Sequence, residues 1–284
     1  MTDLKLIECP RDAMQGIKKF IPTSVKAQYA NQLLKVGFAR IDIGSFVSPK
    51  AIPQMKDTSE LMKLLDLSQT TSELSVIVAN KRGAHDAVVF EEVDVLGYPF
   101  SISETFQIRN TNATIEESFL RVADIQAIAI KYSKQLLIYI SMGFGNPYGD
   151  EWNAEIVESY VSKLYSLGIR RFSLSDTIGV SSPENIKYIF LQLIPRFPDC
   201  EFNAHLHTTP DKWEEKVHAA YMSGCRSFDG AMRGYGGCPM AKDELTGNMP
   251  MEKMISYFQK HQIETGLHES EFEQALSDSG HIFH

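Results

Sequence analysis

Short apolar runs alternate along the chain with longer stretches in which apolar positions recur at helical spacing. The runs at 4–8, 38–44, 74–80, 87–93, 136–141, 171–175, 201–207 and 225–230 predict eight β-strands. Between them, Val25, Tyr29, Leu33 and Val36 fall near a 3.6-residue period, which predicts a helix over 24–36 closed by Gly37. Ile115 to Tyr132 reads as a helix opened by Thr114 and Glu117, the spacing of a capping box. Asn153 to Leu167 and Asp211 to Ser223 read as helices ended by Gly168 and Gly224, and Ser182-Pro183 opens another. Two more, at about 250–262 and 269–277, finish the chain. Strands that alternate with helices build parallel sheets, and eight is the number that closes a (β/α)8 TIM barrel, here with additional C-terminal helices. An open doubly wound sheet is the alternative. No linker, charge block or internal repeat marks a boundary, so residues 1–284 are expected to form a single barrel domain.

Composition narrows the function classes. The 284 residues include 43% apolar ones, enough for a sizeable core. With 28 basic and 36 acidic residues the formal charge is −8, which argues against a nucleic-acid partner. No apolar run approaches the ~18 residues of a membrane span, and the N-terminal stretch turns polar too early for a signal peptide. Cys9, Cys200, Cys225 and Cys238 are scattered, with no C-x-x-C pair, which fits a reducing cytoplasm better than a disulfide framework or a zinc site.

In a TIM barrel the chemistry sits where the strands end, and polar residues gather there. Strand one runs into Pro10-Arg11-Asp12, strand two ends at Asp42-Ile43-Gly44-Ser45, strand six at Ser175-Asp176-Thr177 and strand seven at His205-Leu206-His207. After strand eight comes a long Gly-rich loop with Gly236-Gly237-Cys238-Pro239. His205 and His207 lie two apart on a strand, so both rings face one side, which in a barrel is the interior. Such a pair is costly unless it is hydrogen bonded, titrating or bound to metal. Asp12 from strand one adds a carboxylate, and a mixed N/O set suits Mg, Mn, Co or Zn. Cys238 reads equally as an ordinary loop thiol or as a group poised to approach a substrate. P-loop, G-x-G-x-x-G and G-x-S-x-G spacings are absent, against nucleotide-binding and α/β-hydrolase readings.

These residues also carry a resemblance. Pro10-Arg11-Asp12-Ala13-Met14-Gln15, Ser45-Phe46-Val47-Ser48-Pro49-Lys50 with Pro53-Gln54-Met55, Ser173 to Val180, His205-Leu206-His207, and Gly236-Gly237-Cys238-Pro239 with Gly247-Asn248 are similar to the motifs of the 3-hydroxy-3-methylglutaryl-coenzyme A lyase family. That family belongs to a wider group of metal-dependent lyases and Claisen-condensing barrels. The resemblance implies cleavage of 3-hydroxy-3-methylglutaryl-CoA, or a related 3-hydroxyacyl-CoA, to acetyl-CoA and acetoacetate, as in leucine degradation. It implies a divalent cation, Mg or Mn, on Asp12, His205, His207 and Asn248. Arg11 would hold the enolate oxygen, His205 or Asp42 would take a proton, and Cys238 would return one. Gln15, Ser45, Lys50, Asp176 and Thr177 would line the substrate or coenzyme A site, with Lys81, Arg82 and Arg109 as further phosphate partners. A cytoplasmic homodimer is expected on the same ground.

The chain departs from the family pattern at Cys9, where a glycine is usual, at Asp42, where a glutamate is usual, and at Thr208-Thr209-Pro210. These positions bear on which acyl group is accepted. A Claisen-type synthase joining acetyl-CoA to a 2-oxoacid, or a non-catalytic binding barrel, would share parts of the pattern.

Overall fold

The computed structural model describes residues 3–237 and 246–283. Eight strands, β1 (Lys5–Glu8), β2 (Arg40–Ser45), β3 (Glu73–Ile77), β4 (Val95–Ser101), β5 (Gln135–Ser141), β6 (Arg171–Asp176), β7 (Glu201–Thr208) and β8 (Ser227–Gly230), each pair in parallel with the next. β8 returns to β1, with Lys5 opposite Ser227 and Ile7 opposite Asp229, and closes the barrel. The outer ring contains α1 (Pro10–Gln15), α2 (Thr23–Leu33), α3 (Thr58–Met62), α4 (Lys81–Ala87), α5 (Glu104–Thr111), α6 (Ile115–Lys131), α7 (Ala154–Ser166), α8 (Pro183–Arg196) and α9 (Trp213–Met222). The chain then adds α10 (Met251–Lys260) and α11 (Glu269–Ile282). A ninth strand, β9 (Gly247–Asn248), lies antiparallel on β7 beyond the barrel proper.

The local signals explain most of these boundaries. Thr114 and Glu117 form the reciprocal cap of α6, Ser182 caps α8 ahead of Pro183, and Asn153 caps α7. Gly168 and Gly224, just past α7 and α9, adopt φ of +88° and +94°, the left-handed turn that suits glycine. The expected strand at 87–93 is not formed. Its residues finish α4 and turn, with Phe90 and Val93 donating to carbonyls three residues back. The fourth strand is instead Val95–Ser101, which contains Gly97 and Pro99. Gly97 turns its carbonyl toward Val78, on the β3 side. Pro99, two further on, faces the same side after the β3 pairing has ended at Ile77, so its missing N–H leaves no gap.

Apolar side chains fill two separate volumes. The larger lies between barrel and helices and takes in Val157, Val161 and Leu164 of α7 with Ile186, Ile189 and Phe190 of α8. The smaller, Ile77, Val95, Leu137 and Tyr139, lies within the barrel. The rest of that interior is polar. At its N-terminal end Arg171 reaches from β6 to Glu73 on β3 in two hydrogen bonds of 2.8 and 2.9 Å, and Lys5 of β1 meets Glu201 of β7 at 2.5 Å. Higher up, Arg40 and Asp229 approach to 3.5 Å across β1. Among the described residues no helix is long and apolar enough to cross a membrane.

Candidate metal centre

β1 passes directly into α1 because Pro10 fits the first helical position, where no backbone donor is needed. The turn buries Arg11 and Asp12 at the C-terminal mouth of the barrel. Across it, the alternation of β7 sends His205 and His207 to one side, their rings 5.3 Å apart. Asp12, His205 and His207 each offer a ligand atom, and these atoms lie within 4.8 Å of one another. His205 Nε2 stands 3.8 Å from Asp12 Oδ2, too far for a hydrogen bond and close enough to share an ion.

The outer nitrogens of both rings are already assigned. His207 Nδ1 lies 3.0 Å from the Thr177 carbonyl, which can only accept, so Nδ1 carries the proton. His207 Nε2 is left buried and without a partner, a costly arrangement unless something occupies it. Burial, then the neighbouring His205, lower the His207 pKa and favour the neutral ring. His205 Nδ1 lies 2.9 Å from Asp229 Oδ2. Burial opposes charging of His205, but the Asp229 hydrogen bond and the Asp229 and Asp12 charges outweigh it and raise the pKa. Asp12 is pushed the other way: burial favours its neutral form, and Arg11 followed by the two histidines overcomes that. The interior carboxylates Asp12, Asp42 and Asp229 face two guanidinium groups, Arg11 and Arg40, so 3 − 2 leaves one negative charge beside two imidazoles. That donor set, with an orphaned ring nitrogen, fits a divalent cation.

Arg11 is held from three sides. Its Nε and one terminal nitrogen donate to Asp42 Oδ2 at 3.0 and 2.5 Å. The other donates to Gln15 Oε1 at 2.9 Å and Asp12 Oδ1 at 3.2 Å. Burial opposes its charge, and Asp42 and Asp12 more than compensate, so Arg11 is a fixed cation. A cavity of about 360 Å³ opens above, lined by Arg11, Asp12, His205 and His207 together with Tyr139 and the apolar Val47, Ile52, Ile77 and Phe106. β9 sets Asn248 opposite His207, where its amide donates to the Tyr235 carbonyl at 2.8 Å.

Gln15 and Thr177 also line the cavity. The other candidates stand elsewhere. Asp42 is fully buried behind Arg11 and does not line the cavity, so it orients the guanidinium rather than meeting a substrate. Asp176 accepts from Lys216, Ser181 and Val180 and is a structural staple. Ser45 is spent on backbone groups of Ile77 and Val47. Lys50 is exposed on the loop whose next residue, Ala51, reaches the cavity. Cys238 lies outside the described residues. Two residues went unread in the sequence, Asp229 beneath His205 and Tyr139 packed edge-on against it at 5.6 Å. The signal for Asp229 was a carboxylate set in the short predicted strand Cys225–Gly230, where it must find a partner.

Comparison with known proteins gives consistent matches. The HMGL-like family model matches residues 4–278. Mitochondrial hydroxymethylglutaryl-CoA lyase of Mus musculus is 33% identical over 267 residues, 93% of this chain and 81% of that protein. The cytoplasmic 3-hydroxy-3-methylglutaryl-CoA lyase of Homo sapiens is 31% identical over 93% of this chain and 71% of its own length. Among solved structures, an HMG-CoA lyase from Brucella melitensis aligns with a TM-score of 0.92 at 30% identity over 99% of both chains. One from Acinetobacter baumannii, in complex with coenzyme A and 3-methylmalate, gives 0.91 at 30% identity over 99% of this chain and 91% of that one.

Proposed function

The chain belongs to the HMGL-like family, and from that premise we propose that it is a carbon–carbon lyase cleaving 3-hydroxy-3-methylglutaryl-CoA to acetyl-CoA and acetoacetate. One observation carries the reading: Asp12, His205 and His207 converge on a shared point beside the fixed cation Arg11. Asp12, His205, His207 and Asn248 would hold Mg or Mn. When bound, such an ion supplies Lewis-acid polarisation of the substrate's C3 hydroxyl.

The remaining work falls to the chain. The hydroxyl proton goes to a base at the edge of the cavity, which is His205 Nε2 when Asp12, His207 and Asn248 hold the ion, because His205 Nδ1 is taken up by Asp229. The oxygen then forms the new ketone as the C2–C3 bond breaks, and its electron pair moves into the thioester as an enolate. Arg11, locked by Asp42 and Gln15, faces that oxygen with a charge that needs no reorganisation. Protonation at C2 completes acetyl-CoA, and Cys238 is the proposed donor. Val47, Ile52, Ile77 and Phe106 give the thioester arm an apolar, water-poor wall. Lys50 and Arg109 adjoin the cavity-lining Ala51 and Asn110 in sequence, Lys81 and Arg82 follow the lining Ala79 by two and three residues, and all four are proposed partners for the coenzyme A phosphates. The protein is proposed to act in the cytoplasm as a homodimer.

The test is acetyl-CoA release from 3-hydroxy-3-methylglutaryl-CoA after chelation and after Mg or Mn add-back. Activity should vanish on chelation and return with the ion. Turnover that ignores the chelator would remove the cation from the reading, and condensation of acetyl-CoA with a 2-oxoacid instead would make the protein a synthase.

A further inference from the structure

Below the metal centre the barrel interior holds a directional hydrogen-bond chain. Ser227 Oγ donates to Asn203 Oδ1 at 2.9 Å, Asn203 Nδ2 donates to Ser173 Oγ at 2.8 Å, and Ser173 Oγ donates to Asp229 Oδ2 at 3.3 Å. The Arg40 guanidinium meets the other Asp229 oxygen at 3.5 Å. All five side chains are buried. Each donor in this chain points toward Asp229, which is left with acceptance as its only role.

We infer that Arg40 and Asp229, with the Ser227–Asn203–Ser173 chain, form a positioning device that fixes His205 with its proton on Nδ1 and its Nε2 lone pair facing the cation. The inference rests on the proposed metal site and extends it to residues that touch neither ion nor substrate. An imidazole can rotate about its bond to Cβ, and either nitrogen can carry the proton. Asp229 at 2.9 Å selects one tautomer and one orientation. Arg40 is fully buried, its Nε without a partner, so it sits in the barrel at considerable desolvation cost. Its placement beside Asp229 balances the carboxylate's charge and holds the second carboxylate oxygen, so that Asp229 Oδ2 stays aimed at His205.

The probe is Mn2+, titrated into the whole protein and followed by the electron paramagnetic resonance signal of the free ion. Asp229→Asn retains size but offers His205 an amide donor; it should weaken Mn2+ binding by about 10–100-fold. Arg40→Met should weaken it in the same direction, and Arg40→Lys should recover part of the loss, which a role in packing alone would not produce. Thermal unfolding of each variant reports the fold separately; if Arg40→Met does not fold, Asp229→Asn decides. An unchanged Mn2+ Kd in Asp229→Asn overturns the inference, provided His207→Ala loses binding. Absence of binding in the unaltered protein overturns the metal site itself.

Discussion

In the proposed function Arg11 is the residue on which the reaction depends most directly, because its charge is neither free to move nor free to titrate. Replacing it by Gln removes an oxyanion partner of a kind that is worth ~10²–10³ in kcat. The Arg11→Gln enzyme should lose activity on that scale while still folding, with a stability loss of up to about 3–5 kcal/mol from the stranded Asp42 carboxylate, and wild-type turnover would end the enolate assignment. The site was legible to an unequal degree at this scale. The H-x-H pair and Asp12 stand out because their types and spacing imply convergence. Asp42 was visible as a residue but not as a neighbour: only three-dimensional packing shows it pressed on Arg11 instead of facing the cavity. Asp229 was passed over because a single acidic residue in a short strand carries no spacing signal.

Among the elements, α9 is tied to the strand ends by one side chain. Lys216 Nζ donates to Asp176 Oδ2 at 2.8 Å, to the His207 carbonyl at 2.7 Å and to the Gly179 carbonyl at 3.2 Å. Both charged groups are buried. Asp176→Ala would strand the ammonium, and breaking a buried pair in this way costs about 3–5 kcal/mol. Urea unfolding should register that loss, whereas a change of about 1 kcal/mol or less would mean the pair behaves like an exposed one. This role was not evident from the sequence, since Lys216 and Asp176 are far apart in the chain and belong to different elements. Seven of the eight strand positions, by contrast, follow from apolar periodicity, and the helix caps from local chemistry. The misplaced fourth strand has a definite cause. The β-branched run ending at Val93 imitates a strand, while Gly97 and Pro99 disguise the true one that follows.

At the level of the whole molecule, closure of the barrel and its polar interior go together. The interior apolar cluster is small, and charge pairs, the buried Arg40–Asp229 and the half-buried Arg171–Glu73, stand where branched aliphatic layers usually fill such barrels. Their cost must be borne by the larger core between strands and helices.

The Arg171–Glu73 and Lys5–Glu201 pairs have a kinetic corollary. They bridge the base of the barrel, and the cavity above them opens at the opposite end, where the strands terminate. In the proposed function the keto acid forms deepest, beside the histidines, and should depart only after the thioester has cleared the mouth. Acetoacetate should then compete with substrate in steady-state product inhibition while acetyl-CoA gives a noncompetitive pattern; the reverse assignment would mean that the queue runs the other way.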